Sequence, residues 1–317
     1  MPEPSPGFLD AAALERLSDL HLQARLVVDG ALAGLHRSPH HGASVEFAEH
    51  KEYSPGDEVR HIDWKAFGKF DKYYVKRFEE ETELRGYLVL DCSASMGYTG
   101  AGVSKLRYAA QLAAALGYLL VRQQDQAGML AFAEGLRHYL PPRGRPSHLG
   151  DLLNALRALE PSGRTDLGRA VDYLSEVARR RAMVVLFSDL FDSEPAAPGV
   201  PRSGGGGRAM QLLRGLRARR HDVVLFHMLD ADELHLPEER FSGLTRFVGL
   251  EDTSELVADP RAVRQRYLEA VAAFVAECRR SAAEGDVEYH LVDTARPPAE
   301  VLMGFLRGRA RARLRMR

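Results

Sequence analysis

The sequence predicts an α/β fold with a doubly wound, mostly parallel sheet and a small N-terminal subdomain of a helix and short strands. Short apolar runs, as expected for strands buried on both faces, alternate with longer segments of helical periodicity. Polar residues follow directly after these runs, where the carboxyl ends of parallel strands gather ligands. The 317 residues are 45% hydrophobic, which is enough for a substantial core.

Residues 1–84 are expected to form a separate segment that packs on the main domain. Apolar residues at helical spacing predict an amphipathic helix within residues 8–35. Residues 38–83 are polar but rich in aromatic side chains, including Trp64, the only tryptophan, and predict short strands and turns. Basic and aromatic residues suit stacking on single-stranded nucleic acid, but the acidic run Glu79–Glu81 would repel phosphates. A structural network of ion pairs is therefore the favoured interpretation.

The main domain is expected at residues 85–309, with helices on both faces of the sheet. Buried strands are predicted at the apolar runs 87–90, 126–132, 182–187, 223–228 and 287–292. An edge strand at 136–140 is close enough to its predecessor to form a hairpin. Helices are predicted after Ser104, which suits an N-cap, at 149–159 and 167–177, and from Asp259-Pro260 to Cys278.

Three segments interrupt this regular pattern. Residues 194–207 contain three prolines and four consecutive glycines and predict a flexible loop at the same sheet edge as Asp91. Residues 232–250 form an insertion with room for a small hairpin. Residues 310–317 end a stretch, starting at Arg307, with arginine at nearly every second position. A solvated basic tail is favoured over a contact with an acidic partner.

Composition narrows the classes of partner. The net charge is −1, with 43 Lys and Arg against 44 Asp and Glu, so no global field favours nucleic acid or a membrane surface. Two cysteines without C-x-x-C spacing suit a reducing compartment. The amino terminus lacks the features of a signal peptide, and no window approaches 18 apolar residues. We expect a cytoplasmic protein that binds no nucleic acid and has no membrane span.

Oxygen-bearing side chains are expected to converge where the predicted strands end. Asp91, Ser93 and Ser95 follow the strand at 87–90, Thr165 precedes a helix, and Asp189 follows the strand at 182–187. Hydroxyls and carboxylates without histidine or thiolate suit magnesium or manganese better than zinc or copper. The alternatives are a serine-rich turn for the first three residues and a helix N-cap for Thr165, a role that Asp166 could equally fill.

This arrangement resembles the von Willebrand factor A domain and its metal-ion-dependent adhesion site. The resemblance implies that these five residues hold the metal and that a carboxylate of a partner protein fills the open coordination position. Upstream motifs are similar to the bacterial domain-of-unknown-function family 58, namely Gly42–Phe47, Tyr53–Asp57, Arg60–Trp64 and Lys76–Glu79. Members are commonly linked with MoxR-type AAA+ ATPases, which implies chaperone-like assembly or activation of client proteins.

The expected function is therefore a metal-dependent protein–protein interaction module and not an enzyme. Arg164, Asp192 and Trp64 are further candidates for partner binding. A phosphate-binding P-loop is excluded because Gly102 is not followed by Lys-Ser or Lys-Thr. A magnesium- or manganese-dependent phosphoester hydrolase remains the alternative, with a metal-bound water near Asp91 and Asp189. It lacks an evident general base, since none of the 12 histidines lies in the three site loops.

Overall fold

The computed structural model describes residues 24–29, 50–52, 74–76, 84–100, 102–191, 206–241 and 243–315. The chain forms two compact units, one from Met1–Leu35 with Leu84–Arg317 and the other from His36–Glu83. In the smaller unit, strands β1 (His50–Glu52) and β2 (Tyr74–Lys76) pair antiparallel. The predicted loop at 194–207 lies almost entirely outside the described residues.

The larger unit is built on a six-stranded sheet. Its strands are β3 (Arg85–Asp91), β4 (Gln126–Phe132), β5 (Leu136–Arg143), β6 (Met183–Ser188), β7 (Asp222–Leu229) and β10 (Glu288–Asp293). They lie in the order β10-β7-β6-β3-β4-β5, and only the edge strand β5 runs antiparallel to its neighbour. The predicted mostly parallel sheet and its edge hairpin are confirmed.

Helices cover both faces of this sheet. One face packs against α1 (24–29), α2 (Lys105–Arg122), α3 (Pro146–Arg157) and α8 (Pro298–Arg315). The other packs against α4 (Leu167–Val177), α5 (Gly206–Ala218) and α7 (Pro260–Glu284). Because side chains alternate along a strand, Leu88 and Leu90 of β3 join the first core, whereas Tyr87 and Val89 join the second.

Local side-chain bonds explain where helices α2 and α4 begin. The Ser104 hydroxyl accepts from the Arg107 N–H at the start of α2, at 3.2 Å, as predicted. At the start of α4 the cap is Asp166, whose carboxylate accepts from the Arg169 N–H at 3.1 Å. The sequence left open whether Thr165 or Asp166 caps this helix, and the structure leaves the Thr165 hydroxyl available for another contact.

The C-terminal helix α8 was not predicted. Residues 307–315, expected as part of a solvated tail, are helical, and Leu302 and Phe305 of the same helix are buried. The Arg309 guanidinium donates to Glu288 at 2.9 Å and to Asp222 at 2.8 Å. The sequence pattern was misleading because arginine side chains pack along the protein surface while their charged ends reach carboxylates.

The insertion before α7 also differs from its predicted bounds. The short helix α6 (Ala231–His235) is followed by the antiparallel strands β8 (Thr245–Val248) and β9 (Glu255–Ala258). The predicted small hairpin is therefore present, but it extends beyond residue 250. Among the helices in the described ranges, none is both long enough and apolar enough to cross a membrane.

Candidate metal site at the carboxyl edge of the sheet

The predicted site lies at a topological switch point. Strand β3 is central in the sheet, with β4 on one side and β6 on the other. The helix after β3 belongs to one face and the helix after β6 to the other, so the chain leaves the two strands in opposite directions. Such a crevice at the carboxyl ends of the strands is where ligands bind in open α/β sheets.

Asp91 ends β3 as a fully buried carboxylate with neutral donors. Its Oδ1 accepts from the Ser93 N–H at 2.9 Å, and its Oδ2 accepts from the Ser188 hydroxyl at 2.7 Å. Burial, followed by the charge of Asp189, raises the pKa of Asp91 from 3.8 to about 7. A buried carboxylate in this state is strongly stabilised by a cation.

The hydroxyls of Ser93 and Ser95 point to the same place. Both residues are buried, and their Oγ atoms lie 3.1 Å apart. A single 3₁₀ turn at Ala94–Gly97 brings them together, and the Ser93 side chain does not cap that turn. The Ser93 hydroxyl is therefore not used to cap a helix, and each serine oxygen has lone pairs that can accept a further contact.

Backbone hydrogen bonds fasten the Thr165 loop to the loop after β3. The Ala94 N–H donates to the Gly163 carbonyl, and the Ser162 N–H donates to the Cys92 carbonyl, each at 2.8 Å. Thr165 itself is buried. Its hydroxyl donates to Glu251 Oε1 at 2.8 Å and its N–H donates to Glu251 Oε2 at 3.0 Å. The loop thus presents a candidate metal ligand that already contacts a carboxylate.

Asp189 follows β6 and is paired with a buried lysine. The Lys105 Nζ lies 2.7 Å from Asp189 Oδ2 and 2.7 Å from Glu233 Oε1. Burial lowers the pKa of Lys105, but the charges of Asp189 and Glu233 outweigh it and raise this pKa above its ordinary value. The ammonium form is therefore retained, and it offsets one of the two negative charges of Asp189 and Glu233.

A neutral histidine supports the backbone at the same position. The ring of His227 is fully buried, and its Nε2 lies 3.1 Å from the Asp189 carbonyl. Because a carbonyl only accepts, Nε2 carries the hydrogen. Burial lowers the pKa of His227 to about 4, so its Nδ1 accepts from the Tyr289 hydroxyl at 2.7 Å. Both ring nitrogens are thus engaged in positioning the site.

These side chains fit a hard divalent cation. Asp91 supplies a carboxylate without a paired lysine, and three hydroxyls supply neutral oxygen. Both Asp189 oxygens already accept, from Lys105 and from the Phe191 N–H, which suits an outer position. Within the described ranges no group of three or more His, Cys, Asp or Glu is placed to hold a metal. Ligands typical of a zinc site are therefore not assembled there.

The remaining candidates for partner binding are placed only in part. Arg164 is exposed beside Thr165, and its N–H donates to Glu134 Oε1 at 3.3 Å. Trp64 and Asp192 lie outside the described residues.

Several residues of the site were not predicted from the sequence. Lys105 could have been identified, because it continues the buried helical spacing of Ala109 and Leu112 in α2. Ser188 follows the last apolar residue of β6, directly before Asp189. Glu251 had no local signal, since it lies 86 residues from Thr165 along the chain.

Sequence comparison places this chain among proteins whose role is not assigned. The profile of a family described as "Protein of unknown function DUF58" matches residues 49–277. Two uncharacterized proteins, one from Mycobacterium bovis and one from Mycobacterium tuberculosis, are each 30% identical over 275 residues. Each match covers 84% of this chain and 80% of the relative.

Solved structures give weaker similarities. An aerotolerance-related membrane protein from Bacteroides fragilis has 19% identity and a TM-score of 0.43, over 66% of this chain and 92% of that one. The conserved hypothetical protein BatB from Bacteroides thetaiotaomicron has 15% identity and a TM-score of 0.44, over 72% and 99%.

Proposed function

The chain belongs to the DUF58 family of proteins of unknown function, and we propose that it is a metal-dependent protein–protein interaction module. Magnesium or manganese would be held by Asp91, Ser93, Ser95 and Thr165, with Asp189 in an outer position. The observation that supports this most strongly is the buried Asp91 carboxylate, whose donors are the neutral Ser93 N–H and Ser188 hydroxyl.

Charge balance explains why such a site would recognise an acidic partner. When bound, the cation supplies a positive charge that attracts a further carboxylate in a partly buried setting. Asp91 anchors the site with one negative charge, whereas the serine and threonine ligands are neutral. Lys105 offsets one of the two negative charges of Asp189 and Glu233, so these three side chains add one negative charge rather than two. An aspartate or glutamate of a partner protein is therefore the preferred occupant of the open position.

The identity of the partner rests on resemblance as well as on chemistry. The five residue types and their order resemble the adhesion site of von Willebrand factor A domains, and the family resemblance favours a MoxR-type AAA+ ATPase as partner. The proposed role is chaperone-like assembly or activation of client proteins. A cytoplasmic location fits Cys92 and Cys278, which are buried free thiols rather than a disulfide.

The test compares a double Ser93→Ala and Ser95→Ala variant with the wild-type protein. Magnesium binding is measured by titration calorimetry, and ATPase binding is measured on an immobilised surface in magnesium and in chelator. Loss of both hydroxyls is expected to abolish magnesium-dependent ATPase binding. Circular dichroism should remain unchanged, because the two hydroxyls contribute little to the core.

Ser281→Ala is the matched control, because it removes a hydroxyl from helix α7, outside the site. It is expected to bind magnesium and the ATPase like the wild-type protein. ATPase affinity that is unaffected by chelator and by the double substitution would show that the ATPase docks elsewhere. The Trp64 segment would then become the next candidate.

A further inference from the structure

Glu251 places a carboxylate of the chain itself on the candidate metal site. It lies in the turn between β8 and β9, and its two carboxylate oxygens accept from the hydroxyl and the N–H of Thr165. Since Asp166 caps helix α4, this contact is not needed to begin the helix. A carboxylate on a candidate ligand is also the chemistry expected of an acidic partner.

The turn that carries Glu251 has a defined shape. The Gly249 N–H donates to the Ser254 carbonyl at 2.8 Å, and the Ser254 N–H donates to the Asp252 carboxylate at 3.0 Å. A side chain at Gly249 would clash, because its Cβ would lie 2.1 Å from Asp252 Oδ1. These contacts lie within the turn and do not involve the Glu251 side chain, so they do not depend on its contact with Thr165.

The rest of the hairpin is held loosely by the core. Five large apolar side chains in and beside it have exposed fractions between 52% and 83%, namely Leu244, Val248, Leu250, Leu256 and Val257. The β8–β9 pair is a separate two-stranded sheet that does not join the six-stranded one. A two-stranded hairpin has little stability of its own, so the contact at its turn contributes to its position.

We propose that Glu251 is an internal counterpart of the partner's carboxylate. In the closed state it occupies the open coordination position beside Thr165, and an acidic partner gains access only when the β8–β9 hairpin moves away. This inference rests on the proposed metal-dependent function. If the closed state accounts for about 90% of the molecules, partner affinity is lowered about tenfold, because only the open fraction binds.

Glu251→Gln tests this inference, because its affinities for magnesium and for the ATPase are expected to change in opposite directions. Glutamine replaces one of the two carboxylate oxygens by an NH₂ group, so the contact in which each oxygen accepts from one Thr165 donor is lost. Magnesium affinity of the isolated protein is expected to fall several-fold, because a negative ligand is lost. Affinity for the MoxR-type ATPase in magnesium is expected to rise about tenfold, because the internal competitor is lost. A contact that only supports the loop would not change the two affinities in opposite directions.

Glu255→Gln is the matched control. It removes the same charge from β9 of the same hairpin, where the Glu255 side chain is exposed and lies 3.9 Å from Arg246. Both of its affinities are expected to match the wild type. Glu251→Asp is a second variant that keeps the charge but shortens the side chain, and it should resemble Glu251→Gln in ATPase binding.

Hydrogen exchange of residues 245–258 in chelator tests closure without the metal. Faster exchange in Glu251→Gln than in Glu255→Gln is expected, and equal exchange would overturn the closing role. Chelator-sensitive ATPase binding that is unchanged or weakened in Glu251→Gln would overturn the internal-ligand inference alone. Wild-type ATPase binding that persists in chelator would instead overturn the proposed function.

Discussion

Replacing Asp91 with asparagine is expected to stabilise the metal-free protein. The folded-state pKa of Asp91 is about 7, against an ordinary value of 3.8. Because the folded-state pKa is raised, the contribution of Asp91 to the free energy of unfolding is most favourable below pH 3.8, where the carboxyl is protonated. This contribution is lost as the pH rises through 7. At pH 8 the ionised carboxylate therefore destabilises the fold by about 4 kcal/mol, a penalty that asparagine avoids.

The amide can keep one of the two hydrogen bonds of the carboxylate unchanged, because its oxygen can accept from the Ser93 N–H. Its NH₂ group can donate to the Ser188 oxygen, but the Ser188 O–H then loses Asp91 as its acceptor. Since losing that bond costs about 1–3 kcal/mol, only part of the electrostatic gain should appear as a higher free energy of unfolding. Part of the metal site is lost at the same time, because Asp91 is the proposed anchor.

Urea unfolding at pH 8, in chelator and in magnesium, measures both effects. In chelator, Asp91→Asn should unfold at a higher urea concentration than the wild type. Magnesium at 100 times its Kd should stabilise the wild type by about 2.7 kcal/mol and leave the variant unchanged. Asp172→Asn, at an exposed position of α4, is the control and should behave like the wild type. A variant that is less stable in chelator, or that responds normally to magnesium, would refute this reasoning.

Three further results are expected. Lys105→Met should lower the free energy of unfolding by about 3–5 kcal/mol, because Asp189 and Glu233 would remain buried without their cation; an unchanged urea midpoint would contradict this. Between pH 6.5 and pH 4 the free energy of unfolding of the wild type should fall by about 3 kcal/mol relative to that of His227→Gln, because the histidine binds a proton in the unfolded state but stays neutral when buried. Parallel pH profiles of the two proteins would contradict this expectation. Purified protein with magnesium or manganese should not hydrolyse phosphoesters, and activity abolished by Asp189→Ala would favour the hydrolase alternative.

Regular elements with strong periodicity were predictable from the sequence alone. The bounds of β4 and α4 agree with the predicted 126–132 and 167–177, because an apolar run and a helical stripe are local signals. Helix α8 was missed because alternating arginines obscured the stripe that contains Leu302 and Phe305. In that helix, contact with the sheet buries Leu302 and Phe305, and the many arginines in the sequence gave no indication of this contact.

The candidate site was predictable only where chemistry follows a strand end. Asp91 and Asp189 could be placed because parallel strands bring their carboxyl ends to one edge. The pairing of Asp189 with Lys105, and of Thr165 with Glu251, depends on side chains that meet only after the chain has folded. Sequence spacing contains no information on such long-range contacts.

The antiparallel edge strand β5 limits how the sheet can associate with other molecules. Its sequence includes Pro141 and Pro142, which have no N–H to donate to an added strand. The register shifts beside Gly128, where a side-chain Cβ would lie 2.6 Å from the Pro142 nitrogen. This edge is therefore irregular and short of donors, so β5 resists the addition of a further strand and the aggregation that such addition begins.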